Sequence, residues 1–239
     1  MRETGIERLS TLPQSKNHQH YIVMHYLIRD LKAAIDKYAK GDLVDIGCGN
    51  KPYEFLYKKH TKSNIGCDVV QSSENKVDVI CEATNLDLEN GTIDTVFSTQ
   101  VIEHVGDPQK MVHESFRVLR NGGYAIFSMP FCWELHEEPY DFFRYSKYGV
   151  KELFTKAGFE VVEIKANGGK WATIFQMNIN MLYTIFRKKG ILRKGLKFLF
   201  LNLKFTSIFN RLAIWLDGKH YDDILTLNYV VVAKKQSNN

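Results

Sequence analysis

Short apolar runs alternate with longer amphipathic stretches through much of the chain. Leu43–Ile46, with its β-branched bias, Asn64–Asp68, Val77–Ala83, Ile93–Ser98 and Tyr124–Pro130 are each brief and read as strands. Between Ser15 and Tyr38, Tyr21, Met24, Leu27 or Ile28, Leu31 and Ile35 recur at helical spacing, with Gly41 as a stop. Asp107-Pro108 opens a second helix carrying Met111, Val112, Phe116, Val118 and Leu119, and Asn121-Gly122-Gly123 is expected to end it. Ser146 is placed to cap a helix that runs through Phe154 and ends near Gly158, Phe159–Ile164 reads as a sixth strand, and Leu227–Lys234 reads as the last. Alternation of this kind predicts an α/β fold: a doubly wound, mostly parallel seven-stranded sheet with a helix ahead of it and a helical insertion before the final strand.

The first strand runs into Gly47-Cys48-Gly49 and then into a helix-compatible segment, a strand, tight turn and helix start. Open α/β sheets bind ligands at the carboxyl ends of their strands, where glycine lets the backbone take positive φ or come close to a ligand. Pro52 departs from the phosphate-cradling G-x-x-G continuation, and no G-x-x-x-x-G-K-[ST] occurs. Asp68 ends the second strand about twenty residues further on, where a carboxylate, having only acceptors, suits the two donors of a ribose diol.

Asp45-Ile46-Gly47-Cys48-Gly49 resembles the D-x-G-C-G motif of the class I S-adenosylmethionine-dependent methyltransferases. The stretch from Asp94 through S-x-x-V-[LI]-E-H-V, ending at Glu103-His104-Val105, resembles that family's next signature. The resemblance covers roughly residues 40 to 165 and 225 to 235. It implies a Rossmann-like methyltransferase fold and S-adenosylmethionine as cofactor. Asp45, Gly47, Cys48 and Gly49 would pass under its amino-acid end, Asp68 with Val69 would meet the ribose, Glu82 and Ala83 the adenine edge, and Gln100 the turn after the fourth strand. Glu82 departs from the more usual Asp.

At 239 residues and 44% apolar content the chain can bury one sizeable core, so one domain with an insertion is expected: an N-terminal helical segment (1–40), a cofactor domain (41–167 with 225–235) and the insertion (168–224). The four cysteines lie far apart with no zinc spacing; they fit a reduced, cytoplasmic protein, and no metal ligand set is expected. No apolar signal core and no spanning run occur in this sequence.

The net charge of +5 gains meaning from its placement. From Ile164 through Leu216 there is no acidic residue, whereas Arg187, Lys188, Lys189, Arg193, Lys194 and Lys197 form a basic cluster beside Phe198, Leu201, Phe205, Ile208, Phe209, Leu212 and Trp215. Such a combination fits an anionic membrane surface at the inner face of the membrane, or alternatively a lid or a homodimer face.

Phe131–Tyr145 packs ionisable and aromatic residues at the carboxyl end of the sheet and resembles a subgroup pattern, P-F-x-x-x-x-H-x-x-P-x-D-[YF]-x-R-[YF], of enzymes that methylate glycans, lipid-linked sugars and other small hydroxylated acceptors. If the acceptor is a hydroxyl, a base must take its proton, and His136 suits the task, with Asp141 to orient it, Arg144 as a pairing or substrate-anion residue, and His104 as second candidate base. The structural alternative is an Asp141–Arg144 ion pair holding the loop. Nucleic-acid methylation is the main alternative substrate class, although the [NDS]-P-P-[YF] turn that stacks a flipped base after the fourth strand is replaced here by Ser98-Thr99-Gln100-Val101. A non-catalytic scaffold that binds cofactor and docks a partner through the basic insertion is the remaining alternative.

Overall fold

A computed structural model describes residues 12–13, 15–187, 195, 198, 200 and 204–237. In chain order the elements are α1 (Tyr21–Tyr38), β1 (Asp42–Ile46), α2 (Glu54–Tyr57), β2 (Ser63–Asp68), β3 (Val79–Ile80), β4 (Ile93–Thr99), a 3₁₀ turn (Ile102–His104), α3 (Pro108–Val118), β5 (Leu119–Pro130), α4 (Lys147–Lys156), β6 (Glu160–Asn167), α5 (Lys170–Arg187), α6 (Phe205–Lys219) and β7 (Asn228–Lys234).

The strands form one seven-stranded sheet in the order β3-β2-β1-β4-β5-β7-β6. β1 lies at its centre, paired in parallel with β2 (Val44 beside Ile65) and with β4 (Val44 beside Val96). A parallel strand is covered on both faces, which is why these runs are continuously apolar; Leu43, Val44, Val96, Phe97, Ile126 and Phe127 are all fully buried. β7 enters between β5 and β6, and the exchange of Gly122 N–H to Lys235 O (2.7 Å) and Lys235 N–H to Gly123 O (3.0 Å) brings the end of β7 to the start of β5, so this pair is antiparallel.

Side-chain caps place two of the helices as expected. Asp107 accepts from Lys110 N–H (3.0 Å) with Pro108 next in the chain, and Ser146 accepts from Gly149 N–H (3.2 Å); each such cap contributes about 1 kcal/mol. Three expectations shift. α1 begins at Tyr21, because Ser15 to His20 form turns in which the His18 ring accepts the His20 N–H. β3 is shorter than its apolar run, since the Asp78 carboxylate takes the Gly66 N–H (2.7 Å) and the Lys51 ammonium (2.6 Å). The two glycines expected to stop α3 lie inside β5: the register jumps between Ile93 opposite Leu119 and Thr95 opposite Tyr124, and Gly122, at φ +78°, turns its N–H to β7 while Arg120 pairs with Asp42 and Asp94.

The chain divides into two compact units. The first holds Asp30–Lys165 and the chain from Tyr229 onward; the second holds Leu12–Arg29 and Ala166–Asn228. In the second unit α5 and α6 meet through Phe175 and Phe209 (centroids 5.9 Å apart), with Phe200 also on Phe209 (5.7 Å). Buried Asp217 accepts from Gly169 and Ala172 N–H at the start of α5, and Asn210 donates to Lys16 O and His18 O. The buried face of α6 is thus Thr206, Asn210, Ala213 and Asp217, while Phe205, Ile208, Leu212 and Trp215 are exposed. Among the described residues no helix is long and apolar enough to cross a membrane. Most of the basic cluster, from Lys188 to Lys197, lies outside the described residues.

Candidate active site

At the carboxyl ends of β1, β2 and β4, within the first unit, a cleft of about 760 Å³ opens. One wall is the glycine turn. Gly47 takes φ +73°, and a Cβ there would stand 2.4 Å from Val101, so only glycine fits; its N–H and that of Cys48 donate to Cys67 O at 2.8 and 3.1 Å. Gly49, at φ +52°, donates its N–H to Asp68 Oδ2 (3.0 Å), and Val69 N–H donates to Asp68 Oδ1 (2.8 Å). Asp68 is nearly buried and accepts from these two backbone donors; an ionised carboxylate offers only acceptors, the complement of the two donors of a ribose diol.

Gly47, Asp68, Val69, Glu82, Ala83 and Gln100 line this cleft together. Gln100 holds φ +55°, fixed by its N–H to Ser128 O (3.1 Å) and its side-chain amide to Ser128 Oγ (3.0 Å). Asp45, Cys48 and Gly49 are not among the lining residues. Asp45 is buried and accepts from Tyr57 Oη–H (2.8 Å), and burial pushes its carboxyl up to about 7 against that hydrogen bond; burial also pushes the Cys48 thiol up. These residues shape the turn from behind. Thr99 lines the cleft, and its buried Oγ1 has no hydrogen-bond partner among the described residues, a hydroxyl suited to a polar ligand. No motif in the sequence singles out Thr99 for a ligand.

The opposite wall comes from the 3₁₀ turn and the segment after β5. His104, Glu137, Tyr140 and Phe142 line it. Phe142 and Phe143 N–H donate to Glu103 O (2.9 and 3.3 Å), which ties that segment to the 3₁₀ turn. His104 Nδ1 lies 2.8 Å from Tyr140 O; a carbonyl only accepts, so Nδ1 carries hydrogen, and in the neutral ring Nε2 keeps the lone pair. His136 is not a lining residue: it stands edge-on against His104, centroids 4.7 Å apart, so the two candidate bases are neighbours and His104 is the one that faces the cleft. Glu103, which no sequence motif marked as a site residue, is fully buried beside them, and burial pushes its carboxyl up to about 8.

Asp141 and Arg144 form the ion pair. Arg144 Nη1 and Nη2 donate to Asp141 Oδ1 (2.6 Å) and Oδ2 (2.7 Å), and its remaining N–H groups go to Trp133 O, Glu134 O and Phe143 O. A guanidinium has five N–H donors and all are engaged within the loop, so the substrate-anion role for Arg144 is corrected: it is a clamp. Those hydrogen bonds hold the Asp141 carboxyl far below the usual carboxylate range. Asp141 also accepts the backbone N–H of His136 (2.9 Å), with its Oδ2 3.3 Å from His136 Nδ1.

Residues 44–127 match the family described as "Methyltransferase domain". A "Probable S-adenosylmethionine-dependent methyltransferase" of Mycolicibacterium smegmatis is 29% identical over 128 residues, 50% of this chain and 49% of the relative. Among solved structures, the [4+2]-cyclase SpnF superposes with a TM-score of 0.58 at 16% identity, covering 90% of this chain and 82% of the other. The phosphoethanolamine N-methyltransferase 2 of Haemonchus contortus, crystallised with S-adenosyl-L-methionine, gives 0.52 at 16% identity over 94% and 59%. The match to a methyltransferase domain falls on residues 44–127, which begin in β1 and carry the glycine turn and Asp68. This chain spans about half the length of the Mycolicibacterium relative, and the cyclase shows that one fold hosts more than one chemistry.

Proposed function

We propose that the protein transfers the methyl group of S-adenosylmethionine to a hydroxyl of a small acceptor, a glycan or lipid-linked sugar being the class its acceptor loop suits best. The observation that carries this reading is that Asp68 and His104 line one cleft from opposite walls. When bound, the cofactor supplies a methyl on a sulfonium, open to in-line displacement by an acceptor lone pair. Asp68 would hold the ribose diol, Thr99 and the turn at Gly47 would meet the amino-acid end, and Glu82 with Ala83 the adenine edge. Tyr140 and Phe142 would seat the acceptor, and the His104–His136 pair would receive its proton, His104 Nε2 being the lone-pair nitrogen on the cleft side. Asp141 and Arg144 act by positioning, since they fix the segment that carries His136. Asp45, Cys48 and Gly49 would support the cofactor from behind the turn.

The test is mass spectrometry of acceptors incubated with the protein and a methyl-labelled cofactor, extracted lipid-linked glycans first and free hydroxylated and amine compounds beside them. Label on a glycan hydroxyl is the expected result. Label on an amine alone would overturn the acceptor class, and no label on any compound, with cofactor bound, would favour the scaffold reading.

A second reading concerns the helical unit. α6 buries Thr206, Asn210, Ala213 and Asp217 and exposes Phe205, Ile208, Leu212 and Trp215, the reverse of a water-facing helix. Together with the acid-free, basic sequence before it, this supports docking on an anionic lipid surface that would present a lipid-carried acceptor. Co-sedimentation with anionic vesicles should weaken at high salt and on Leu212→Ser with Trp215→Ser; a salt-insensitive dimer disrupted by the same substitutions would instead make the stripe a homodimer face.

A further inference from the structure

Glu103 is fully buried, and neither carboxyl oxygen has a hydrogen-bond partner among the described residues. Leaving one such group unpaired costs about 1 to 3 kcal/mol, more when it is charged. Its setting suggests what offsets that cost. The 3₁₀ turn Ile102–His104 places Glu103 next to His104, with His104 Nε2 3.9 Å from Glu103 Oε1, longer than a hydrogen bond. The Arg144-clamped loop lays His136 across His104 at an interplanar angle of 80°. One ligand atom from each of Glu103, His104 and His136 lies within 4.8 Å of the others. The His104 hydrogen bond to Tyr140 O is the outer-sphere contact that commonly fixes a ligating imidazole's tautomer.

We infer that Glu103, His104 and His136 form a binding site for a divalent transition-metal cation, open on its cleft side to a further ligand. Two imidazoles and one carboxylate are a donor set that suits zinc, iron(II) or cobalt(II) and leaves coordination positions for water or substrate. Metal bonds of about 2.0 to 2.2 Å would need the three atoms to draw in by about 1 Å, and His136, one-third exposed on its loop, is the ligand able to move. No sequence spacing signalled the set, because His136 reaches it from a different loop.

For its catalytic consequence only, the inference rests on the proposed methyl transfer. In the metal-loaded protein an acceptor that offers adjacent oxygens, such as a vicinal diol or a hydroxy acid, would ligate the cation through one hydroxyl, and that hydroxyl would lose its proton to water, metal activation taking the place of the imidazole base of the metal-free protein.

The experiment uses the full chain stripped with a chelator and titrated with cobalt(II) alone, followed by visible absorption, with cofactor affinity measured by calorimetry on the same samples. A saturable absorption band at one cobalt(II) per chain, displaced by zinc(II), is expected. His136→Ala should weaken cobalt(II) at least about tenfold, the scale of losses at metal sites, and Glu103→Gln should do the same, while both variants keep their circular dichroism and cofactor affinity. The absence of a band, or a band that His136→Ala and His104→Ala leave unchanged, overturns the inference. Cofactor binding that persists in that case leaves the methyltransferase reading standing; loss of cofactor binding in the unsubstituted protein would instead overturn that reading.

Discussion

The two walls of the cleft are built by different means. The wall proposed for the cofactor is mostly backbone: the Gly47 and Cys48 N–H groups fold over Cys67 O, and Gly49 and Val69 N–H hold the Asp68 carboxylate. The wall proposed for the acceptor is mostly side chains: His104 faces the cleft with His136 against it, and Asp141 and Arg144 clamp the segment behind them. A backbone wall depends on where glycine and a carboxylate fall in the chain, so it is encoded over a short span and admits one ligand shape. A side-chain wall is assembled from two separated segments and can be changed one residue at a time, which lets a shared fold serve different acceptors.

The comparison breaks most visibly at the histidines. His104→Ala should lower the methylation rate by roughly 10²- to 10⁴-fold, the usual contribution of a positioned acid or base, with cofactor affinity little changed. His136→Ala should fall in the same range if the two rings act as a pair. Steady-state rates beside calorimetric cofactor affinities check this, and a rate near that of the unsubstituted protein for His104→Ala would remove the acceptor wall's chemical role.

The complementary substitution is on the other wall. Asp68→Ala should weaken S-adenosylmethionine by about 1 to 3 kcal/mol, because it orphans the Gly49 and Val69 N–H groups and removes the diol's acceptor. Calorimetry is the measurement, and unchanged affinity would take the ribose contact away from β2.

How well each wall could be read from the sequence follows the same division. Gly47, Asp68 and the alternating strands were legible because their signals are local: a glycine turn at a strand end, a carboxylate at fixed distance, apolar runs of strand length. The Gly122-Gly123 pair misled for the same reason, since a local helix-stop signal was outweighed by pairing with β4 and β7, contacts far away in sequence. Arg144 had open roles until its five donors could be followed. Glu103 is legible as part of the E-H-V stretch, but its burial is not, since a charged residue type in a strand-to-helix turn reads as solvated.

A smaller effect is expected where the acceptor loop is clamped. Asp141→Asn keeps the shape but loses the charge, so the Arg144 guanidinium keeps weaker acceptors; stability should fall by about 1 to 2 kcal/mol, with faster amide exchange across 133–145. In the unsubstituted protein Asp141 has a depressed carboxyl, so its contribution is present above the ordinary aspartate range and is lost as pH falls toward its lower folded value. Exchange that is unaltered across 133–145 would show the loop to be held by other contacts.

The smallest effect sharpens the comparison from behind the cofactor wall. Asp45 belongs to the glycine motif but lies outside the cleft lining, buried against Tyr57 Oη–H, with its carboxyl raised to about 7 by burial. In the unfolded chain it titrates near 4, so between those values the folded protein holds a proton that the unfolded chain has released. Stability therefore falls as pH rises through that window and levels off above it. Asparagine can still accept from Tyr57 and has no charge to bury, so the stability of Asp45→Asn relative to the unsubstituted protein should rise by about 1 kcal/mol between pH 6 and pH 7. Urea unfolding of both proteins at the two pH values measures the difference. Cofactor affinity should stay within about twofold, well short of the tenfold that 1.4 kcal/mol represents. A large loss of affinity with no pH-dependent stability difference would instead place Asp45 in direct contact with the cofactor and make the carboxylate, rather than the backbone alone, part of that wall.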